Sequence, residues 1–93
     1  MPSKSPRKSK NLDQAFRAEL KKLREDKKWT QYDLSDASGY RQSYLSNIET
    51  GRQTPSVTVL FDLLQTFGRR PDLYMRDVLK RVESKSSPKQ TKA

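Results

Sequence analysis

The chain of 93 residues carries 20 Lys+Arg against 11 Asp+Glu, a net charge of +9, and only 31% of it is hydrophobic; it has room for one small domain and calls for a polyanionic partner, nucleic acid before an anionic membrane surface. With no Cys and no His, disulfide scaffolds, thiolate or His-ligated metal sites, cysteine nucleophiles and histidine general bases are excluded, and no cofactor is expected. No apolar run approaches the roughly 20 residues of a membrane span and nothing near Met1 resembles a signal-peptide core, so a cytoplasmic, nucleoid-associated protein without a membrane partner is expected.

The charge is unevenly placed. Residues 1–10 hold four basic side chains and residues 84–93 hold three, with no acid in either, whereas residues 11–83 hold 13 basic and 11 acidic ones. Ser, Pro and Lys/Arg with almost no apolar residues cannot offset the entropy of ordering, so both ends are predicted to be disordered basic tails around one domain, 11–83. Ser5-Pro6-Arg7-Lys8 and Ser87-Pro88-Lys89 suit either general phosphate contact or a minor-groove arm.

Five helices are predicted in chain order. Leu12, Phe16, Leu20 and Leu23 follow the helical period from an Asn11 cap to about Lys27. Thr30, with Asp33 three residues on, opens a second helix over Gln31 to Ser38 that stops at Gly39. A third runs from about Arg41 to Glu49 or Thr50, with Tyr44, Leu45 and Ile48 apolar and Gly51 as its stop. Pro55-Ser56 starts the fourth, striped by Val57, Leu60, Leu64 and Phe67 and closed at Gly68. Pro71 takes the first position of the fifth, which continues through Leu73 or Tyr74, Val78 and Val82 to about Glu83. No stretch alternates like a strand, so the domain is predicted to be all-α.

Residues 30–51 pair two short helices across a turn that starts at Gly39, the arrangement of a helix-turn-helix unit. Over about residues 17–75 the chain resembles the phage Cro/repressor, or Xre-type, helix-turn-helix family. The resemblance rests on Leu20-x-x-Leu23-Arg24, Trp29-Thr30-Gln31, Leu34-Ser35, Gly39, Leu45-Ser46-x-Ile48-Glu49-x-Gly51, Pro55-Ser56 and Leu60. It implies a compact five-helix bundle of the lambda-repressor-like type. The chain departs from the family pattern at Ser35, where Ala is usual, and at Arg69-Arg70-Pro71, where an apolar residue usually follows the glycine.

The resemblance implies that the third helix enters a major groove, with Arg41, Gln42, Ser43, Ser46 and Asn47 at base edges. Gln suits adenine, Arg suits guanine, and Ser is permissive. Gln31, Thr50, Arg52 and Gln53 fall where the family meets phosphates; Tyr44 either joins them, meets a thymine methyl, or rests on the domain. Arg24 and Glu49 match a family ion pair, while Trp29, Leu34, Leu45, Ile48, Leu60, Phe67 and Tyr40 are assigned to packing. The expected partner is double-stranded DNA with a palindromic operator, bound by a homodimer; the apolar stripe of the fifth helix (Leu73, Met75, Val78, Leu79, Val82) suits either that dimer contact or ordinary core. The competing readings are an antitoxin or adaptor that holds a protein such as a toxin, and a non-specific DNA coater. An enzyme is not expected, because the acids are scattered and no nucleophile–base constellation appears.

Overall fold

A computed structural model describes the backbone of residues 7–86 and the side chains of residues 11–83. Among the described residues there are five helices and no strand: α1 (Arg7–Asp26), α2 (Gln31–Ser38), α3 (Gln42–Thr50), α4 (Val57–Phe67) and α5 (Pro71–Ser86). Short-range chemistry sets their ends. Thr30 accepts from the Asp33 N–H at 3.1 Å while Asp33 accepts from the Thr30 N–H at 2.8 Å, a reciprocal cap at the start of α2. Ser56 accepts from the Val59 N–H at 3.1 Å and so starts α4.

The helix ends are less uniform. Gly39 closes α2 at φ 85° and Gly51 closes α3 at φ 88°, in the left-handed region that costs a side chain strain. The end of α1 adopts the same geometry without glycine. Lys28 stands at φ 62°, its N–H donating to the Glu25 carbonyl and that of Trp29 to the Arg24 carbonyl, the two bonds of a Schellman stop.

The core comprises Ala15, Leu20, Leu34, Leu45, Ile48, Leu63, Leu64, Phe67, Tyr74 and Val78, with Leu12, Phe16, Leu23, Trp29, Tyr40, Tyr44, Leu60 and Val82 packed around it. Tyr74 is wholly buried against Phe16, ring centroids 5.9 Å apart, and its hydroxyl donates to the Phe16 carbonyl at 2.9 Å. Burial pushes its phenol well above the ordinary tyrosine range. Nearby, Arg81 of α5 donates to Glu19 of α1 at 2.7 Å, which gives an otherwise 5%-exposed carboxylate its counter-charge. Arg69, in the stretch that departs from the family pattern, pairs with Asp77 of α5. The fifth helix thus starts at Pro71, tied back to the preceding turn.

Three expectations are corrected. Asn11 is not a cap: α1 begins at Arg7, inside the expected 1–10 tail. A cap is worth only about 1 kcal/mol, whereas three of residues 7–10 are Arg or Lys, good helix formers that extend an existing helix cheaply. At the other end α5 reaches Ser86, three residues beyond the expected boundary. Val57 is 72% exposed rather than core. The seam of α4 is Leu60, Leu63, Leu64 and Phe67, and Val57 stands one turn earlier, at the rim of a groove. Residues 1–6 and 87–93 lie outside the described residues, and with them most of the two stretches considered as minor-groove arms.

Candidate nucleic-acid interface

The candidate site is built on α2, the Gly39 turn and α3. Ser35 donates to the Tyr40 carbonyl at 2.6 Å and the Tyr40 N–H donates to Ser38 at 3.2 Å, so side chains of α2 hold the turn from inside. The Ala-to-Ser departure at position 35 thereby gains a role: its hydroxyl satisfies a turn carbonyl. Leu34, Leu45 and Ile48 are buried between the two helices and the rest of the domain. With those positions inward, Ser43, Ser46, Asn47 and Thr50 fall on the opposite side of α3 at i, i+3, i+4, i+7 spacing. None of the four is charged. Arg41 precedes the helix as an exposed N-cap whose side chain makes no capping bond.

A chain of hydrogen bonds holds the first turn of α3 to α1. Arg24 grips Glu49 with two nitrogens, Nε to Oε2 at 2.7 Å and Nη2 to Oε1 at 3.1 Å, and its remaining nitrogen donates to the Trp29 carbonyl at 2.7 Å. The two side chains are 11% and 8% exposed, so each is largely removed from water and each supplies the other's charge. Bonding to Glu49 raises the Arg24 pKa above its ordinary value. Gln31 then donates to the same Glu49 Oε1 at 3.0 Å and accepts from Gln42 Nε2 at 2.9 Å. Four side chains from α1, α2 and α3 thus share one continuous path.

Gln31 and Gln42 are therefore brought together, with the Gln31 amide occupied inside the domain by Glu49 and Gln42. Nothing in the spacing of the sequence signals that bridge, since it depends on three helices at once. Ser46 and Asn47 are half-buried, and Ser43, Thr50, Arg52 and Gln53 are exposed. The chain folds back after α3: the Asn47 carbonyl accepts from the N–H groups of Arg52 at 2.9 Å and Gln53 at 3.1 Å, which sets both side chains beside the end of the helix. Tyr44 lies on the other flank, half-buried, its ring 5.9 Å from that of Tyr40. Tyr40 in turn donates its hydroxyl to Asp62 at 2.6 Å, and that bond raises its phenol pKa. No group of three or more acidic side chains among the described residues is placed to hold a metal ion, and no helix among them is long and apolar enough to cross a membrane.

This arrangement has counterparts in known proteins. A family model described as "Helix-turn-helix" matches residues 20–74. Over 47 residues the chain is 43% identical to an uncharacterized HTH-type transcriptional regulator, y4dJ, of Sinorhizobium fredii (strain NBRC 101917 / NGR234). That match covers 50% of this chain and 61% of the relative's own length. No solved structure matches the chain.

Proposed function

The chain belongs to the Cro/C1-type helix-turn-helix family, and from that premise we propose that it is a sequence-specific DNA-binding transcriptional regulator. The observation that carries the reading is the outer side of α3, with small uncharged polar side chains at Ser43, Ser46, Asn47 and Thr50 and Gln42 anchored at its first turn. A surface that only needed to attract DNA would be cationic. One that must distinguish bases needs donors and acceptors at defined positions.

In this reading α3 lies in the major groove. Gln42 spends one amide N–H on Gln31, which leaves its second N–H and its carbonyl oxygen for the paired donor and acceptor of an adenine edge. Arg41 reaches guanine, Asn47 reads a second adenine, and Ser43 and Ser46 accept either base type. Arg52, Gln53 and Thr50 meet the phosphates that follow the recognition helix. Gln31 meets one at the start of α2, through its backbone N–H, and Tyr44 closes the flank against the sugar-phosphate backbone. Met75 and Leu79, exposed one turn apart on α5, are the apolar pair on which two copies would meet over a palindrome, with reading heads about 34 Å apart.

Selection of bound sequences from random DNA, followed by mobility-shift titration, tests the proposal. The expected result is a two-fold symmetric consensus bound at least about a thousand-fold more tightly than unrelated DNA. Uniform binding to all sequences would overturn it. Light scattering of the free and DNA-bound protein reports the dimer.

A further inference from the structure

A groove of about 230 Å³ opens between α1, the end of α3 and the start of α4. Its floor is apolar, formed by Phe16, Leu20, Ile48 and Leu60, with the exposed Val57 at its edge. Its rim carries Arg17, whose guanidinium lies on the α-carbon of Gly51, so closely that a Cβ there would fall 2.9 Å from the guanidinium carbon. Asp13, one turn earlier on the same rim, does not pair with it, and among the described residues no carboxylate does. An unneutralised planar cation at the mouth of an apolar groove is an incomplete arrangement. The groove calls for a hydrocarbon body, and the guanidinium fork calls for a planar anion with two oxygens.

We propose that this groove is a binding site for a small monocarboxylic acid with an apolar body, its carboxylate on Arg17 and its hydrocarbon against Phe16, Ile48 and Leu60. The volume is just below the roughly 300 Å³ at which drug-sized pockets begin and corresponds to about eight waters of liquid, which suits an acid of roughly ten non-hydrogen atoms. The site touches the reading helix directly, because Ile48 and Gly51 belong to α3 and its stop. Filling it removes water from beside the Gly51 turn that places Arg52 and Gln53, so an occupant acts where the phosphate contacts of the proposed interface begin. The binding claim itself does not depend on that interface: a protein that bound no DNA would still be expected to take the acid.

The test is a nuclear magnetic resonance titration of the full chain with sodium octanoate and, separately, with 1-octanol, following the methyl groups of Ile48, Leu60 and Val57 and the Nε–H of Arg17. Saturable shifts confined to those groups are expected, with octanoate at least ten-fold tighter than the alcohol. Arg17→Gln should erase that ratio and Arg17→Lys should keep part of it. Val57→Trp, at an exposed position, should block both ligands while the spectrum stays folded. Shifts that fail to saturate, that appear equally at exposed Tyr32 and Phe61, or an octanoate preference that survives Arg17→Gln would overturn the proposal.

Discussion

Replacing Glu49 by Leu removes the acceptor on which three hydrogen bonds converge, two from Arg24 and one from Gln31. The guanidinium left behind is only 11% exposed, so water cannot replace the lost charge without opening the packing around Trp29 and Ile48. Breaking one side of such a buried pair costs about 3 kcal/mol. In a domain of this size that corresponds to a fall in Tm of about 12–24 °C. Arg24→Met should cost at least as much, because it also strips the Trp29 carbonyl of its 2.7 Å donor. The double variant Arg24→Met/Glu49→Leu removes both charges and leaves an apolar contact of similar volume, so its loss should be close to that of one single variant rather than twice it. Urea denaturation of the four proteins, followed by circular dichroism, measures the coupling, expected to be about 3 kcal/mol. Additive losses would refute the reasoning, since they would mean that each side chain finds its compensation elsewhere. DNA affinity should not recover in the double variant, because Gln31 still lacks its Glu49 acceptor there.

Lys28→Gly should stabilise the protein by about 0.5–1 kcal/mol in the same denaturation assay, by relieving a side chain held at φ 62°. Tyr74→Phe should cost about 1 kcal/mol at neutral pH through loss of the bond to the Phe16 carbonyl. It should also remove an alkaline instability: the folded-state phenol pKa is raised by burial, so the stability tied to the neutral phenol is fully present below about pH 10 and is lost as pH rises above that ordinary value. Stability of wild type and variant at pH 8 and pH 11 shows whether the gap narrows. Gln42→Ala should cost about 1–3 kcal/mol at one operator base and relax specificity there, whereas Arg52→Ala should weaken all sequences alike and make the salt slope less steep by about one unit; mobility shifts on single-base operator variants separate the two.

The helix boundaries were legible because they depend on chemistry within four residues. Thr30 with Asp33, Ser56, Pro71 and the glycines at 39, 51 and 68 mark their turns without help from the rest of the fold. Asn11 misleads for the same reason in reverse: a weak local preference lost to the ease of extending a helix already formed. The stripe of α4 was legible in period but not in extent, since whether Val57 is covered depends on what stands opposite it. Arg24 and Glu49, 25 positions apart, were reachable only through resemblance to a family. Gln31 as a bridge and Glu19 as a buried partner of Arg81 were not reachable at all, because each depends on where separate helices come to rest. At position 31 the resemblance implies a phosphate contact, and nothing in it signals the further role the folded chain gives the side-chain amide, which joins α3 to the Arg24–Glu49 pair.

The path from Arg24 through Glu49 and Gln31 to Gln42 has a consequence for how such a protein can change. A substitution at Gln42 alters what α3 presents and also removes the donor to Gln31, so any new preference acquired there disturbs the joint between helices. Ser43, exposed on the same helix, has no such tie, and Asn47 makes only a long 3.5 Å side-chain contact with Gln53. Variation at those two positions leaves the joint untouched. If α3 reads bases as proposed, divergence in operator preference should therefore begin at the positions read by Ser43 and Asn47, with the one read by Gln42 changing last and only alongside position 31.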